Sequence, residues 1–496
     1  MKIALITSRT AEAIVEDYVR RNVKVKGVEL KIVSLPIHAI SMVSSDTVAK
    51  IVKTHGNILE ALKSSDIILA PGTVSGSMEI LSSTVGKPVY KASKALSHLP
   101  QVISYVVDGG VLDAVKPAEE VVSLKEPLID YVEAFKVNGL SVPLKGPPLI
   151  LASEIVAAVG LESLKYRLSR FISEGAQIIV IGSSFDTSPG ELASKVSYAV
   201  ETGHTILAET PTGDHAREAL GAGAHGIIMS TEHLEASLSH VGGDKAIVVG
   251  DRSVEALARA SERAREAGVS KIIVDPVVGV PLVDFASTIA RYREASRIGC
   301  PTLFSSANVV EEVEADTHGV HAILAALAVE LGASIYLVVE DSYKSIHSTS
   351  EAREALRIAS EAYARKTAMR GSFSKLLIVK QQNPPEKPTI KAPGERVDYI
   401  GPRWDERGYV RVEVDAERGV IIASYVEYKG GTYTVEGRHA TSVARALVRR
   451  AGLDPEHAAY LGYELAKAEI ALKLGKSYIQ DSPIINTPWD GEVAEG

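Results

Sequence analysis

The sequence predicts an α/β protein whose centre is a (β/α)₈ TIM barrel, flanked by an N-terminal open α/β domain and a small C-terminal α+β domain. Three observations predict it. Eight short apolar runs recur between about residues 149 and 339: Pro148–Ala152, Gln177–Gly182, His204–Ala208, His225–Met229, Lys245–Gly250, Lys271–Asp275, Pro301–Ser305 and Ser334–Val339. Each is rich in β-branched residues without strict alternation, the pattern of strands buried on both faces. Each is followed by turn residues and a helix-like stretch, which implies parallel pairing, and eight such units in roughly 200 residues fit one closed barrel.

Taken in order, residues 1–145 alternate strand-like and helix-like stretches: Ile3–Thr7, an amphipathic run from Ala11 to Arg21, Val28–Val33 and Asp66–Ala70. They read as a small open α/β domain. Its loop Pro71-Gly-Thr-Val-Ser-Gly-Ser77 joins a strand to a helix, where free N–H groups can hold an anion. It lacks the Lys-Ser/Thr of a phosphate-binding loop and the dinucleotide spacing, so a plain turn is the favoured reading. The barrel occupies 146–380. Residues 381–393 hold four prolines in thirteen positions, and 381–394 read as a semi-rigid linker. Residues 395–496 form the third unit, with three strands at Tyr409–Asp415, Gly419–Tyr425 and Thr432–Val435. Two helices follow, Ala440–Ala451 and Pro455–Leu474.

Composition narrows the function classes. The 54 basic and 62 acidic residues give a net charge of −8, which argues against nucleic-acid and anionic-membrane partners. No apolar run is long enough to span a bilayer and the N-terminus reads as a strand rather than a signal peptide, so a cytoplasmic protein is expected. Cys300 is the sole cysteine, which excludes an intrachain disulfide and a cysteine-built zinc site.

In a (β/α)₈ barrel, chemistry sits where the strands end. Asp275 closes the sixth run in Val-Asp-Pro-Val-Val-Gly279, and the turn after it puts a carboxylate in the mouth. That carboxylate either caps its own loop or accepts paired hydrogen bonds from a ring N–H and an exocyclic amine. Asn308 lies past the seventh run in Ser305-Ser-Ala-Asn-Val309, where an amide can meet a ring nitrogen. Glu154 and Glu209 follow the first and third runs, Asp186 centres the hydroxyl-rich loop after the second, and Glu340, Asp341 and Lys344 follow the eighth. Carboxylates abound at this rim and basic groups are scarce. His318 and His321 have a helical i, i+3 spacing, but no carboxylate motif accompanies them, so no metal is expected.

At these residues the chain resembles the archaeal dihydropteroate synthase-related proteins of the pterin-binding barrel superfamily. Glu174-Gly-Ala-Gln-Ile-Ile-Val-Ile-Gly182 is similar to the superfamily's second strand and Val274-Asp-Pro-Val-Val-Gly279 to its pterin-gripping sixth. Leu5–Glu12 and Leu69–Gly76 look like the family's N-terminal extension, while His457–Glu469 and Leu474–Asp481 look like its C-terminal domain. The chain departs from true dihydropteroate synthases at Val180, at Ser305-Ser-Ala and at Val338-Val-Glu, where those enzymes carry an acidic residue or the basic groups that hold diphosphate. Ser306-Ala-Asn-Val309 is also similar to the methyltetrahydropterin-dependent methyltransferases of the superfamily.

The resemblance implies a pterin-binding transferase of tetrahydromethanopterin or folate-type biosynthesis, joining an activated hydroxymethyl-dihydropterin to an arylamine. In that role Asp275, Glu209, Glu154, Asp186 and Asn308 bind the pterin, and Asn308 and Lys344 serve catalysis. The alternatives are a methyltetrahydropterin-dependent methyltransferase, whose partner would be a corrinoid protein, and a non-catalytic pterin-binding protein. The pterin is expected as substrate or ligand, with no tightly bound cofactor, and the barrel's outer helices are the expected surface should the chain form a homodimer.

Overall fold

The computed structural model describes residues 1–485 except 26, 41–42, 123–128, 157–158, 184–185, 367, 370–374, 381–393, 396, 398–400, 402 and 417. The expected linker lies almost wholly outside the described residues. The chain divides into two compact units, Met1–Val339 with Ser348–Pro385, and Glu340–His347 with Glu386–Gly496.

The first unit opens with four parallel strands, β1 (Lys2–Ser8), β2 (Glu29–Leu35), β3 (Ile67–Ala70) and β4 (Val89–Lys91), in the order β2-β1-β3-β4. Ala4, Ile6, Ile68 and Val89 face one apolar cluster, and Ile3, Leu5 and Leu69 face the other. Both faces are buried, so the strands carry apolar residues at successive positions.

A hairpin of β5 (Glu133–Val137) and β6 (Leu140–Pro143) follows. Its turn is Asn138-Gly139, with φ of 47° and 79°, the left-handed pair that matches the twist of a two-residue hairpin. Val137 and Val142 belong to the apolar cluster inside the barrel, and the Thr205 hydroxyl, at the start of a barrel strand, donates to Val137 O at 3.4 Å. The hairpin therefore stoppers the barrel at the end where its strands begin.

The barrel strands are β7 (Ile150–Val156), β8 (Ile178–Gly182), β9 (Thr205–Glu209), β10 (Gly226–Ser230), β11 (Ala246–Gly250), β12 (Lys271–Asp275), β13 (Leu303–Ser305) and β14 (Ile335–Val339). They run in the order β12-β11-β10-β9-β8-β7-β14-β13, and among the described residues the backbones of β12 and β13 meet at one bridge, Val274↔Thr302, where Val274 N donates to Pro301 O at 3.0 Å. Side-chain alternation splits each strand between two environments. Ile150, Ala152, Ile178, Val180, Leu207, Ala246, Val248, Ile273, Leu303, Ile335 and Leu337 fill the interior. Their neighbours, such as Ile179, Ile206, Ile227, Val249, Val274 and Tyr336, pack outward under the helices. A helix follows most strands, from Leu161–Glu174 after β7 to Ser348–Arg365 after β14.

The second unit contains the antiparallel strands β15 (Gly408–Asp415), β16 (Val420–Glu427) and β17 (Thr432–Gly437), with helices Ala440–Ala451 and Pro455–Leu474. β15 alternates buried and exposed, the signature of a sheet covered on one face. Val410, Val412, Ile421, Ala423, Leu447, Leu461 and Leu465 form its core. The final segment is pinned by Gln480, whose amide accepts from Val412 N at 2.9 Å and donates to Val410 O at 3.1 Å. Among the described residues, no helix is long and apolar enough to cross a membrane.

Candidate functional site

The period of two that fills the barrel interior also fixes what faces its mouth. Continuing the inward positions toward the strand C-termini gives Glu154 on β7, Gly182 on β8, Glu209 on β9, Ser230 on β10, Gly250 on β11, Asp275 on β12, Ser305 on β13 and Val339 on β14. Three carboxylates therefore point to one hollow, and glycine and serine between them leave it open. A Cβ at Gly182 would meet the Glu154 carboxylate in its present position, so the glycine leaves that carboxylate room beside β8. None of these inward positions carries a basic side chain.

Asp275 is the most organised of the three. Its Oδ1 accepts from Val277 N at 2.8 Å, while no described residue donates to its Oδ2. Tyr292, whose hydroxyl donates to Leu303 O at 2.6 Å, lies 3.5 Å from the same Oδ1 and so stitches β12 to β13 where the ladder is thinnest. Burial raises the Asp275 pKa from 3.8 to about 6, against the lowering effects of the Val277 N–H, the Tyr292 hydroxyl and the Arg291 charge. The acid thus titrates near neutral pH with one oxygen fixed and one unengaged.

The loop after Asp275 is tightly built. Gly279 N donates to the Thr288 hydroxyl at 2.9 Å, and a Cβ at Gly279 would stand 2.5 Å from Asp284 O. The loop also brings in Asn308, whose Nδ2 donates to Val278 O at 2.8 Å from the short helix Ala307–Val310 after β13.

Glu209 ends β9, and burial pushes its carboxyl above the usual range. The Ser183 hydroxyl donates to Glu209 O at 2.8 Å, tying the loop after β8 to that strand. The structure places the other expected residues differently. Asp186 is exposed in the loop after β8, and Lys344 lies in the turn Tyr343–Ser345 of the second unit, within the Glu340–His347 segment. Neither is among the inward-facing positions. His321 is fully buried, with Nδ1 3.0 Å from the Tyr336 hydroxyl, and burial together with the nearby His318 pushes it down to about 3. Among the described residues, no group of three or more metal-binding side chains occurs. Cys300 is buried and accepts from Arg265 Nη2 at 3.0 Å.

Ser230, Arg291 and Tyr292 were not legible as site residues from motifs. The strand period starting from Ile228 points to Ser230, but no local pattern marks Arg291 and Tyr292, which reach back to the loop from a helix sixteen and seventeen positions downstream of Asp275.

The fold and its acid-lined mouth define a (β/α)₈ barrel protein with a polar, strand-end site. Residues 404–481 match the family model PterinBD-DUF4346. An uncharacterized protein of Methanocaldococcus jannaschii is 24% identical over 526 aligned positions that span 97% of this chain and 98% of the relative. Solved structures similar to it include the Xanthomonas albilineans dihydropteroate synthase in complex with 7,8-dihydropteroate, at 16% identity and a TM-score of 0.39 over 46% of this chain and 97% of that one. The Thermus thermophilus dihydropteroate synthase in complex with 4-aminobenzoate aligns at 22% identity and a TM-score of 0.36, over 45% and 97%. The family match falls within the C-terminal region, where His457–Glu469 and Leu474–Asp481 carry the motifs noted in the sequence.

Proposed function

We propose that the barrel mouth binds a pterin ring and that the protein is a transferase acting at that ring's edge. The observation that carries the reading is Asp275, an inward carboxylate with Oδ1 held by Val277 N–H and Oδ2 open to a donor pair. Asp275 and Glu209 would accept from the ring N–H groups and the exocyclic amine, Glu154 would line the same hollow, and Asn308 would set the reactive edge. Asp186 and Lys344 stand outside this inward set; Lys344 remains the basic group proposed to meet an anionic moiety of a substrate.

The finer reading is a condensation of the dihydropteroate synthase type. An arylamine nitrogen would attack the methylene carbon of an activated hydroxymethyl-dihydropterin, the carbon–oxygen bond would break with its electron pair leaving on diphosphate, and the amine proton would pass to solvent. The second reading is methyl transfer from a reduced pterin. Its support is the absence of basic side chains from the inward positions together with the fixed amide of Asn308, since expelling diphosphate calls for positive charge where that charge develops. A methyl acceptor of corrinoid type would then be held by a separate protein.

Calorimetric titration separates these readings. Tighter binding of 6-hydroxymethyl-dihydropterin diphosphate than of its alcohol favours the condensation, and preference for a methylated tetrahydropterin favours methyl transfer. Equal binding of all three with no turnover fits a pterin carrier, and binding of none would overturn the pterin site.

A further inference from the structure

Asp275 depends on a backbone conformation that its own loop does not favour. Val277 has φ of 55°, in the left-handed region, where a β-branched side chain is a steric outlier. With the chain on either side held in place, that φ is tied to the orientation of the Pro276–Val277 peptide, whose N–H donates to Asp275 Oδ1 at 2.8 Å. Something outside the loop must hold it, and the contacts identify what does.

Arg291, on the helix Ser287–Ala295, reaches under the turn with its whole guanidinium. Nε donates to Pro276 O at 3.1 Å and Nη2 to Val277 O at 2.8 Å. Nη1 donates to Asp284 Oδ2 at 3.0 Å, and Asp284 Oδ1 accepts from Val280 N at 2.9 Å. The two carbonyls flanking the strained residue are thus clamped by one planar fork, whose third arm is anchored to the far end of the same loop. The Arg291 side chain is 12% exposed, so little water competes for these bonds. A lysine could not replace this geometry, because its ammonium is a point donor rather than a fixed fork.

We infer that Arg291 is a positioning residue for the pterin-binding carboxylate: it holds Val277 left-handed so that Asp275 presents Oδ2 to the ligand. Arg291 touches no ligand in this scheme and acts through the turn alone. The inference rests on the pterin reading of Asp275, but its consequences for Asp275 can be read without any ligand.

The test uses Arg291→Gln, Val277→Gly and the double variant in the full chain. Glycine takes positive φ without a Cβ penalty, so it should restore the turn once the clamp is gone. Two readouts are followed: the titration midpoint of the Asp275 carboxyl by carbon NMR of labelled aspartate, and affinity for a methylated tetrahydropterin and for 6-hydroxymethyl-dihydropterin diphosphate. Arg291→Gln should move the Asp275 midpoint upward, since the carboxylate loses both the Val277 N–H and a nearby cation, and should weaken pterin binding by roughly tenfold or more. Adding Val277→Gly should recover most of the affinity and part of the midpoint shift, the part owed to the N–H. Should Arg291→Gln fail to fold, Val277→Gly alone decides: relief of a held strain raises Tm, whereas a lower Tm overturns the inference. An unchanged midpoint in folded Arg291→Gln, or no recovery in the double variant, also overturns it. If wild-type protein binds neither pterin while the midpoint still shifts and recovers, the pterin reading has failed and the positioning role stands.

Discussion

Two buried titratable groups in the first unit make opposite demands on stability. Asp275 holds its proton in the folded state up to about pH 6 but loses it near 3.8 in an ordinary setting. Folding stability therefore falls as pH rises between these values, and above pH 6 the ionised acid costs roughly 3 kcal/mol in the unliganded protein. Asp275→Asn should raise the apo stability at pH 7 by roughly 1–3 kcal/mol and weaken pterin binding by roughly 1–3 kcal/mol. Denaturant melts and calorimetry on the same variant check both signs. For the wild type, pterin affinity should drop as pH falls through about 6, because the acceptor is being protonated.

His321 works the other way. Its imidazole stays neutral down to about pH 3 in the fold, against 6.5 ordinarily. The unfolded chain takes up the proton first, so stability is lost as pH falls below 6.5, reaching roughly 4 kcal/mol near pH 3. His321→Gln should flatten that acid limb, which a pH series of urea melts would reveal. Residue chemistry of this kind was only partly legible in the sequence. The turn after Asp275 showed where the carboxylate sits, but the fork of Arg291 depends on a helix whose return angle no local pattern encodes.

At the scale of elements, the eight barrel strands were legible because burial on both faces leaves a run of β-branched residues that little else produces. The hairpin β5–β6 was not legible in the same way, although Asn138-Gly139 is a strong turn signal, because its flanking strands are only five and four residues long. That hairpin now has an energetic role. Val142 is fully buried in the barrel interior, and Val142→Ala should cost roughly 2 kcal/mol through lost burial and the cavity left behind. Tyr292→Phe addresses the opposite side of the structure, removing the hydroxyl that donates to Leu303 O. It should cost about 1 kcal/mol and raise the Asp275 midpoint, measured by melts and by aspartate NMR.

At the scale of the whole molecule, the first unit joins an open sheet to a closed one, and a buried polar cluster lies at their junction. His98, just ahead of a helix of the N-terminal sheet, lies 3.6 Å from Glu119 of that domain and 3.6 Å from Glu361 on the barrel helix Ser348–Arg365. Glu361, 4% exposed, also pairs with Arg357 at 3.3 Å and with Arg365. Burial lowers the Arg365 pKa while Glu361 opposes that shift, so the pair is electrostatically strained without its carboxylate. Glu361→Gln should destabilise the unit by roughly 3 kcal/mol, and calorimetric melts should broaden if the two sheets then unfold separately. Nothing in the sequence pairs His98 with a residue 263 positions away; such contacts emerge only from the packing of finished elements.

The single bridge between β12 and β13 has a dynamic corollary. A ladder with one rung can open without breaking the rest of the cylinder, so the amide protons of Val274 and Leu303, which belong to that rung, should exchange with solvent faster than those of β8 or β11. Because Asp275 stands on the lip of that gap, a ring bound there would act as a clasp, and the slowing of deuterium uptake along these two strands would report occupancy even when no chemistry follows.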